Sequence, residues 1–381
     1  MVPNWFAAVI PFLIPTLAAP SPLISVKKTK DAIPGRYIVT FKNDTGNFTG
    51  VPSLANELSP HSNVTHQWDF ISGFAGAFTD TDIEFLRSHP NVMSIEEDGY
   101  AHTQTVATQT DAPWGLGRLS SQTILANQDP TALNFQYDYD DSAGSNSDVY
   151  IIDTGIYTSH WAFGGRASWG ATFHGTHCAG IAVSSPYGVA KSARVIAVKV
   201  LDDGGTGTWA DIISGMNWVA NTAGSSGRPS VASMSLGGGY LASVNSAVAN
   251  LVSSGVTTVV AANNGDVDAS SCSPANSPYV ITVGATTIND AKASFSNYGS
   301  VLDIWAPGSD IISTWINNGI YSKSGTSMAA PHVAGFAAYL LALDSSLTSS
   351  SVSSTIMSQA LYNVLSGIPS GTTNALVNNG L

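Results

Sequence analysis

Three short segments of this chain gather residue types that can do chemistry. "HGTHCAG" places His174 and His177 three residues apart, with Cys178 directly after. On a helix that spacing puts both rings on one face, where they could share a zinc ion, or one ring could act as a general base. "VYIIDTG" places Asp153 just past a β-branched run, and "SGTSMAAPHVAG" places Ser327 between a glycine turn and a helix opening with Met328 and Ala329. A serine at a helix start lies where unpaired N–H groups favour negative charge. Acyl transfer needs such a set: a nucleophile, a base, an acid that orients the base, and donors for the oxyanion. The zinc reading is weaker, because a third ligand at helical spacing is missing and no glutamate follows Glu97.

The elements that must carry these residues show in the periodicity. "DVYIID", "RVIAVKVL", "SVASMSL", "VTTVVAA" and "YVITVGA" read as buried parallel strands. "ADIISGMNWVANT" and "SVNSAVANLVSSG" read as helices between them, the second ending at Gly255 as a C-cap. The alternation predicts an α/β fold with a doubly wound, mostly parallel sheet, whose chemistry sits at the carboxyl ends of the strands. Before residue 100 the pattern differs. "RYIVTF", "FAGAFT" and "NVMSIEE" read as strands, with a helical stretch near "SLANEL" and a second helix at "TDIEFLRSHP", capped by a box of Thr81 and Glu84. This predicts a small α+β, ferredoxin-like unit. It carries every glutamate and all three N-x-Ser/Thr sequons, at Asn43, Asn47 and Asn63. A polar stretch, "YAHTQTVATQTDAP", joins it to the rest and reads as cleavable.

Composition sets the outer limits. Only 10% of the 381 residues are charged and 44% are hydrophobic, which excludes a disordered chain. The net charge of −12 argues against nucleic acid as a partner. Residues 1–19 are apolar, lack a charged side chain and end in small residues. They read as a signal peptide, although the usual basic n-region is missing. No later run is long and apolar enough to span a membrane, so a secreted, soluble, monomeric chain is expected. The two cysteines, Cys178 and Cys272, read as free thiols rather than a disulfide, which would tie up a residue beside the site. Asp-Thr-Gly also recurs at Asp44, the pairing an aspartic protease uses, but that copy follows polar residues in the segment expected to be lost.

In their order, "IIDTG", "HGTHCAG", "SLGGG" and "SGTSMAAPHVAG" resemble the subtilisin family of serine proteases, and most closely its proteinase K branch. The order Asp, His, Ser is the one known for subtilisin. The likeness runs from residue 107 to about 380, while residues 20–106 resemble the family's inhibitory propeptide. The resemblance implies a secreted, autoprocessed endopeptidase that acts on protein substrates, with its own propeptide as an intramolecular inhibitor. It makes Ser327 the nucleophile, His174 the base and Asp153 the orienting acid. Asn264 becomes the oxyanion donor and Asn263 stands where the family has glycine, beside the pocket for the residue before the cut. Ser235, Leu236 and Gly237 would form that pocket's other wall. Gly205, Thr206 and Gly207 would form an edge that pairs with an extended peptide. No cofactor is needed for the chemistry. A structural calcium ion is expected on the carbonyls of Pro278 and Val280 and the carboxylate of Asp303, oxygen ligands that suit a hard cation.

One departure stands out. The family has a longer connection from the acid to the base, ending in Asp-Gly-x-Gly; here "GRASWGATF" runs straight into His174, with Phe173 in place of glycine. The expectation is that the triad still forms, with a reshaped second subsite. The competing expectation is a catalytically impaired binding protein or a truncated gene product.

Overall fold

The computed structural model describes residues 23–29, 32–42, 54–69, 71–99, 106–168 and 173–381. The apolar leader, Asp44, the sequons at Asn43 and Asn47, the start of the polar linker and Trp169–Thr172 lie outside the described residues. The chain divides into two compact units, Met1–Thr103 and Gln104–Leu381.

In the first unit, strands Ala32–Phe41, Asn63–Trp68, Gly73–Ala77 and Val92–Gly99 build an antiparallel sheet in which the first and last lie side by side. Short Val26–Lys27 pairs parallel to the edge. Helix Asp80–Ser88 buries Ile83 and Leu86 against Val39, Phe74 and Ile95. This is the small α+β unit expected. Of the stretch near "SLANEL", only Leu54 and Ala55 are helical among the described residues. The strand Asn63–Trp68 was not expected, because its side chains are mostly polar and exposed. The cap is also displaced. Thr79, not Thr81, caps the helix by accepting from the Asp82 N–H. The Asp82 carboxylate closes that box by taking the Ser59 N–H and the Ser62 and Thr79 hydroxyls. Glu84 instead pairs with Arg87 at 2.6 Å.

The second unit is built on six parallel strands: β1 Asp148–Asp153, β2 Arg194–Lys199, β3 Ser230–Met234, β4 Val256–Ala261, β5 Ile281–Thr286 and β6 Ile304–Pro307. Their spatial order is 6-5-4-3-1-2. Short Ala167–Ser168 flanks β2, and Ala375–Leu376 with antiparallel Leu361–Tyr362 flanks β6. Strands β1, β3, β4 and β5 are buried along their whole length, as parallel strands covered on both faces must be. Alternation sorts them into two cores. Val149 and Ile151 face one core, Tyr150 and Ile152 the other.

Helices α1 Phe173–Val183, α4 Thr326–Leu343 and α5 Ser349–Gln359 pack in the first core, and α2 Trp209–Ser226 with α3 Ala242–Ser253 in the second. Thr208 caps α2 by accepting the Asp211 N–H at 3.1 Å, worth about 1 kcal/mol. Helix α3 ends one residue earlier than expected: Ser254 is the cap, and Gly255 follows it at φ +92°. Among the described residues only α4 is long and apolar enough to cross a membrane, and it is the buried central helix of this unit.

Order 2-1-3-4 places the topological switch point between β1 and β3. In doubly wound sheets the ligand crevice opens there, beyond the carboxyl ends of the strands. Asp153 ends β1, Ser235 follows β3, and Asn263 and Asn264 follow β4.

Candidate active site

Asp153 is fully buried at the end of β1. One oxygen accepts the Thr154 N–H at 2.6 Å, and both oxygens lie 2.9 Å from His174 Nδ1. Two local devices press the start of α1 onto the strand end. The Thr154 hydroxyl accepts the Gly175 N–H at 3.0 Å. A Cβ at Gly175 would lie 2.2 Å from the Gly155 carbonyl oxygen and 3.2 Å from Asp153 Cβ, so only glycine allows the approach. With Nδ1 committed to the carboxylate, the neutral ring turns its Nε2 to the cleft as an acceptor.

Its neighbours raise the His174 pKa above the usual 6.5, Cys178 first and then Asp153, against the opposing effect of burial. The Cys178 sulfur donates to the Ser327 carbonyl at 3.4 Å, which requires a thiol. Asp153 is therefore the charge that acts on the ring in the folded enzyme.

His177 takes no part in a shared ion with His174. It is buried, its Nε2 faces the Tyr321 carbonyl at 2.9 Å, and burial pushes its pKa down to about 3. The group whose donor atoms converge is instead Asp153, His174 and Cys178. His332 is likewise buried in α4, pushed down to about 4, and bonded to the Met328 carbonyl. Both cysteines are free thiols.

Ser327 is the second residue of α4. Pro331 sits four residues further on and has no N–H, so the Ser327 carbonyl lacks its helical partner. That carbonyl accepts instead from the Ser235 hydroxyl at 2.9 Å and from Cys178. The loss of one helical bond thus ties the serine's backbone to the end of β3 and to α1. The Ser327 hydroxyl donates to the Ser235 carbonyl at 3.3 Å, and among the described residues no hydrogen bond joins it to His174. Both residues line the same cleft of about 780 Å³.

Asn264 borders this point. Its Oδ1 accepts both the N–H and the hydroxyl of Thr326, at 2.8 and 2.9 Å, which turns the Nδ2 donors away from Thr326. Asn263 adopts φ +76°, a left-handed conformation that asparagine tolerates better than most residues. Its carboxamide lies against Gly237, where a Cβ would come within 2.3 Å of Asn263 Oδ1. Ser235, Leu236, Gly237, Gly205, Thr206 and Gly207 all line the cleft. Within the last three, Thr206 turns its N–H to the Asp202 carboxylate and its carbonyl to the Asp202 N–H, and the Gly205 N–H goes to the Asp202 carbonyl, so the Gly205 carbonyl and Gly207 supply the groups left for pairing. The cleft also holds Trp209, Asp203, Trp315 and Lys323, which motif reading missed. They lie outside the motifs, and only the folded chain brings them to one cleft.

Asp303 and Thr282 exchange bonds: the Thr282 N–H donates to the Asp303 carboxylate at 2.7 Å, and the Asp303 N–H to the Thr282 carbonyl. Val280 and Pro278 precede β5, two and four residues before Thr282 in the chain. Burial without a countercharge raises the Asp303 pKa to about 6, the condition a hard cation would relieve.

The doubly wound α/β sheet brings Asp153, His174 and Ser327 to the carboxyl ends of its strands, the arrangement the sequence motifs predict. Residues 144–380 match the subtilase family (Peptidase S8), and residues 36–104 match peptidase inhibitor I9. The chain belongs to the subtilase family: it is a subtilisin-like serine endopeptidase with an N-terminal I9 propeptide domain. It is 46% identical to a cuticle-degrading protease of Metarhizium anisopliae, covering 97% of this chain and 96% of that one. It is also 46% identical to proteinase R of Parengyodontium album, covering 85% and 83%. The crystal structure of a cold-adapted subtilisin-like serine proteinase superposes with a TM-score of 0.64 at 40% identity, covering 71% of this chain and 98% of that one.

Proposed function

We propose that Ser327, His174 and Asp153 are the catalytic triad of this endopeptidase. The observation that carries this reading is the buried Asp153 carboxylate bonded to His174 Nδ1 in the cleft that holds Ser327. His174 Nε2 takes the Ser327 proton as Oγ attacks the scissile carbonyl, and returns it to the leaving amine. Asp153 holds the ring and stabilises the imidazolium. Asn264 Nδ2 and the Ser327 N–H at the open start of α4 receive the oxyanion. A water then repeats the sequence on the acyl-enzyme. The peptide lies extended along Gly205–Gly207, and its side chain before the cut enters the pocket of Ser235–Gly237 and Asn263. The walls of that pocket contain no charge, so apolar and aromatic side chains fit best.

The I9 domain is the chain's own inhibitor, separated from residues 107–381 by self-cleavage near Val106–Ala107. The apolar leader directs secretion, the sequons carry glycans on the propeptide, and the mature enzyme acts as a monomer apart from nucleic acid and membrane. A calcium ion on Pro278, Val280 and Asp303 would neutralise the buried carboxylate and tie the turn before β5 to the entry of β6.

The test is a serine-directed fluorophosphonate with intact-mass and peptide-mapping readouts. One adduct is expected, on Ser327 of a chain that begins near Ala107. A label on another serine, or none on a folded mature chain, overturns the assignment.

A further inference from the structure

Residues 107–381 contain four lysines and four arginines. Seven of these eight cations donate to a carboxylate or carbonyl oxygen. Arg118 grips Asp290, Arg194 and Arg228 share Asp148, and Lys292 holds Asp266. Arg166, Lys191 and Lys199 reach backbone carbonyls. Lys323 is the exception: among the described residues it has neither a hydrogen-bonded oxygen nor an ion pair. Its ammonium instead lies 5.3 Å from the centre of the Trp315 ring. Asp310, the acid beside its strand neighbour Ile311, receives the Ser324 hydroxyl and does not pair with it.

Lys323 lines the active-site cleft. Trp315 connects it to the base side of the site, for its ring meets Phe173 at 5.7 Å, and Phe173 directly precedes His174. Tyr321 also stacks on Trp315, with ring centres 5.0 Å apart. The other charged group in the cleft, Asp203, stands by the Gly205–Gly207 edge and is paired with Lys199. The acyl part of a peptide occupies that edge and the Asn263 pocket. The leaving part must therefore pass the base that protonates it, along the wall of Phe173, Trp315 and Lys323.

We infer that Lys323 is a specificity-determining residue for the leaving side of the substrate, selecting peptides with an acidic residue just after the cut. The ammonium is held over the indole face by the ring's quadrupole and has no internal acid to compete with the substrate. In residues 107–381, where 16 aspartates face eight lysines and arginines, it is the one cation among the described residues that line the cleft.

This inference rests on Ser327 being the nucleophile. The experiment uses the mature enzyme and internally quenched peptides that differ only in Glu or Lys after the cut, with cleavage sites fixed by mass spectrometry. The kcat/KM ratio on each preparation cancels differences in folded fraction. The native enzyme is expected to prefer the Glu peptide by roughly three- to fivefold, the scale of one partly exposed ion pair. Lys323→Gln should bring the ratio near unity and Lys323→Glu should invert it. Salt of about 1 M, where the Debye length falls to roughly 3 Å, should flatten the native preference. A ratio that is the same in native and Lys323→Glu enzyme overturns the inference while Ser327 still takes the fluorophosphonate. An enzyme that takes no label and cuts neither peptide overturns both readings.

Discussion

The two helices that bring Ser327 and His174 to the cleft begin in different ways. The start of α4 is bound from three sides: Asn264 holds Thr326, and Ser235 and Cys178 hold the carbonyl that Pro331 leaves free. The start of α1 is held by Asp153, Thr154 and the close approach at Gly175, and one residue further on by the Tyr157 N–H on the Thr176 hydroxyl and the Thr314 hydroxyl on the Thr176 carbonyl. Its first residue, Phe173, stands 40% exposed against Trp315. The contrast lies in the first residue of each helix: Thr326 is hydrogen-bonded to Asn264, whereas Phe173 meets Trp315 through ring contact.

Removing the nucleophile is the most severe break. Ser327→Ala should lower turnover by roughly 10⁶-fold, the effect known for the corresponding loss in subtilisin itself. Expressed alone, it should also accumulate uncut precursor. N-terminal sequencing that finds the variant processed normally, with other proteases absent, would show that self-cleavage is not the route.

Asp153→Asn comes next, at roughly 10⁴-fold in kcat, as for the same change in a serine-protease triad. It also tests the electrostatics. Asp153 raises the His174 pKa, and only the neutral ring accepts the serine proton. The native kcat/KM should therefore climb with pH through a midpoint above 6.5. Without the carboxylate, the midpoint of the residual activity should move down. A midpoint that stays put would mean that another group governs the acid limb.

Asn264→Ala should lower kcat by roughly 10²–10³-fold, again the size established in subtilisin. Asn263→Gly should leave most of the rate but admit larger side chains before the cut, since the carboxamide against Gly237 is what narrows that pocket. If the two variants exchange these phenotypes, the assignment of the neighbouring asparagines is off by one residue.

What the sequence made legible follows from how each feature is encoded. The motifs around Asp153, His174 and Ser327 and the buried strands are each written in contiguous residues, so motif and period reveal them. The helix cap at Thr79 was misread because two threonines flank Asp80, and only the Asp82 contacts decide between them. The polar strand Asn63–Trp68 carries no hydrophobic alternation, since most of its side chains face solvent. Lys323 and Trp315 sit in a hairpin, Ile311–Thr314 with Ile320–Lys323. Their place by His174 comes from a contact across some 140 residues of chain, between Trp315 and Phe173.

The smallest expected effect is at Phe173, where the contrast between the two helix starts can be sharpened most directly. The ring touches Trp315 and lines the cleft, but it gives the catalytic residues no hydrogen bond. An aromatic pair of this kind contributes about 0.5–1.5 kcal/mol, and one small group's worth of extra room in a binding pocket changes discrimination by about 1–3 kcal/mol. The difference, about 0.5–1.5 kcal/mol, means that Phe173→Gly should raise kcat/KM on peptides with bulky side chains next to the cut by about two- to tenfold, with little change on peptides carrying alanine there. Inserting a family-length loop ending in Asp-Gly-x-Gly should go further in the same direction. The Ser327 labelling rate separates space from chemistry, because a fluorophosphonate does not reach the second subsite. If Phe173→Gly or the longer loop quickens labelling as much as it quickens cleavage of bulky peptides, the shortened segment is limiting the triad itself. If labelling is unchanged while bulky peptides gain, α1 already starts in the right place and Phe173 acts only as a wall.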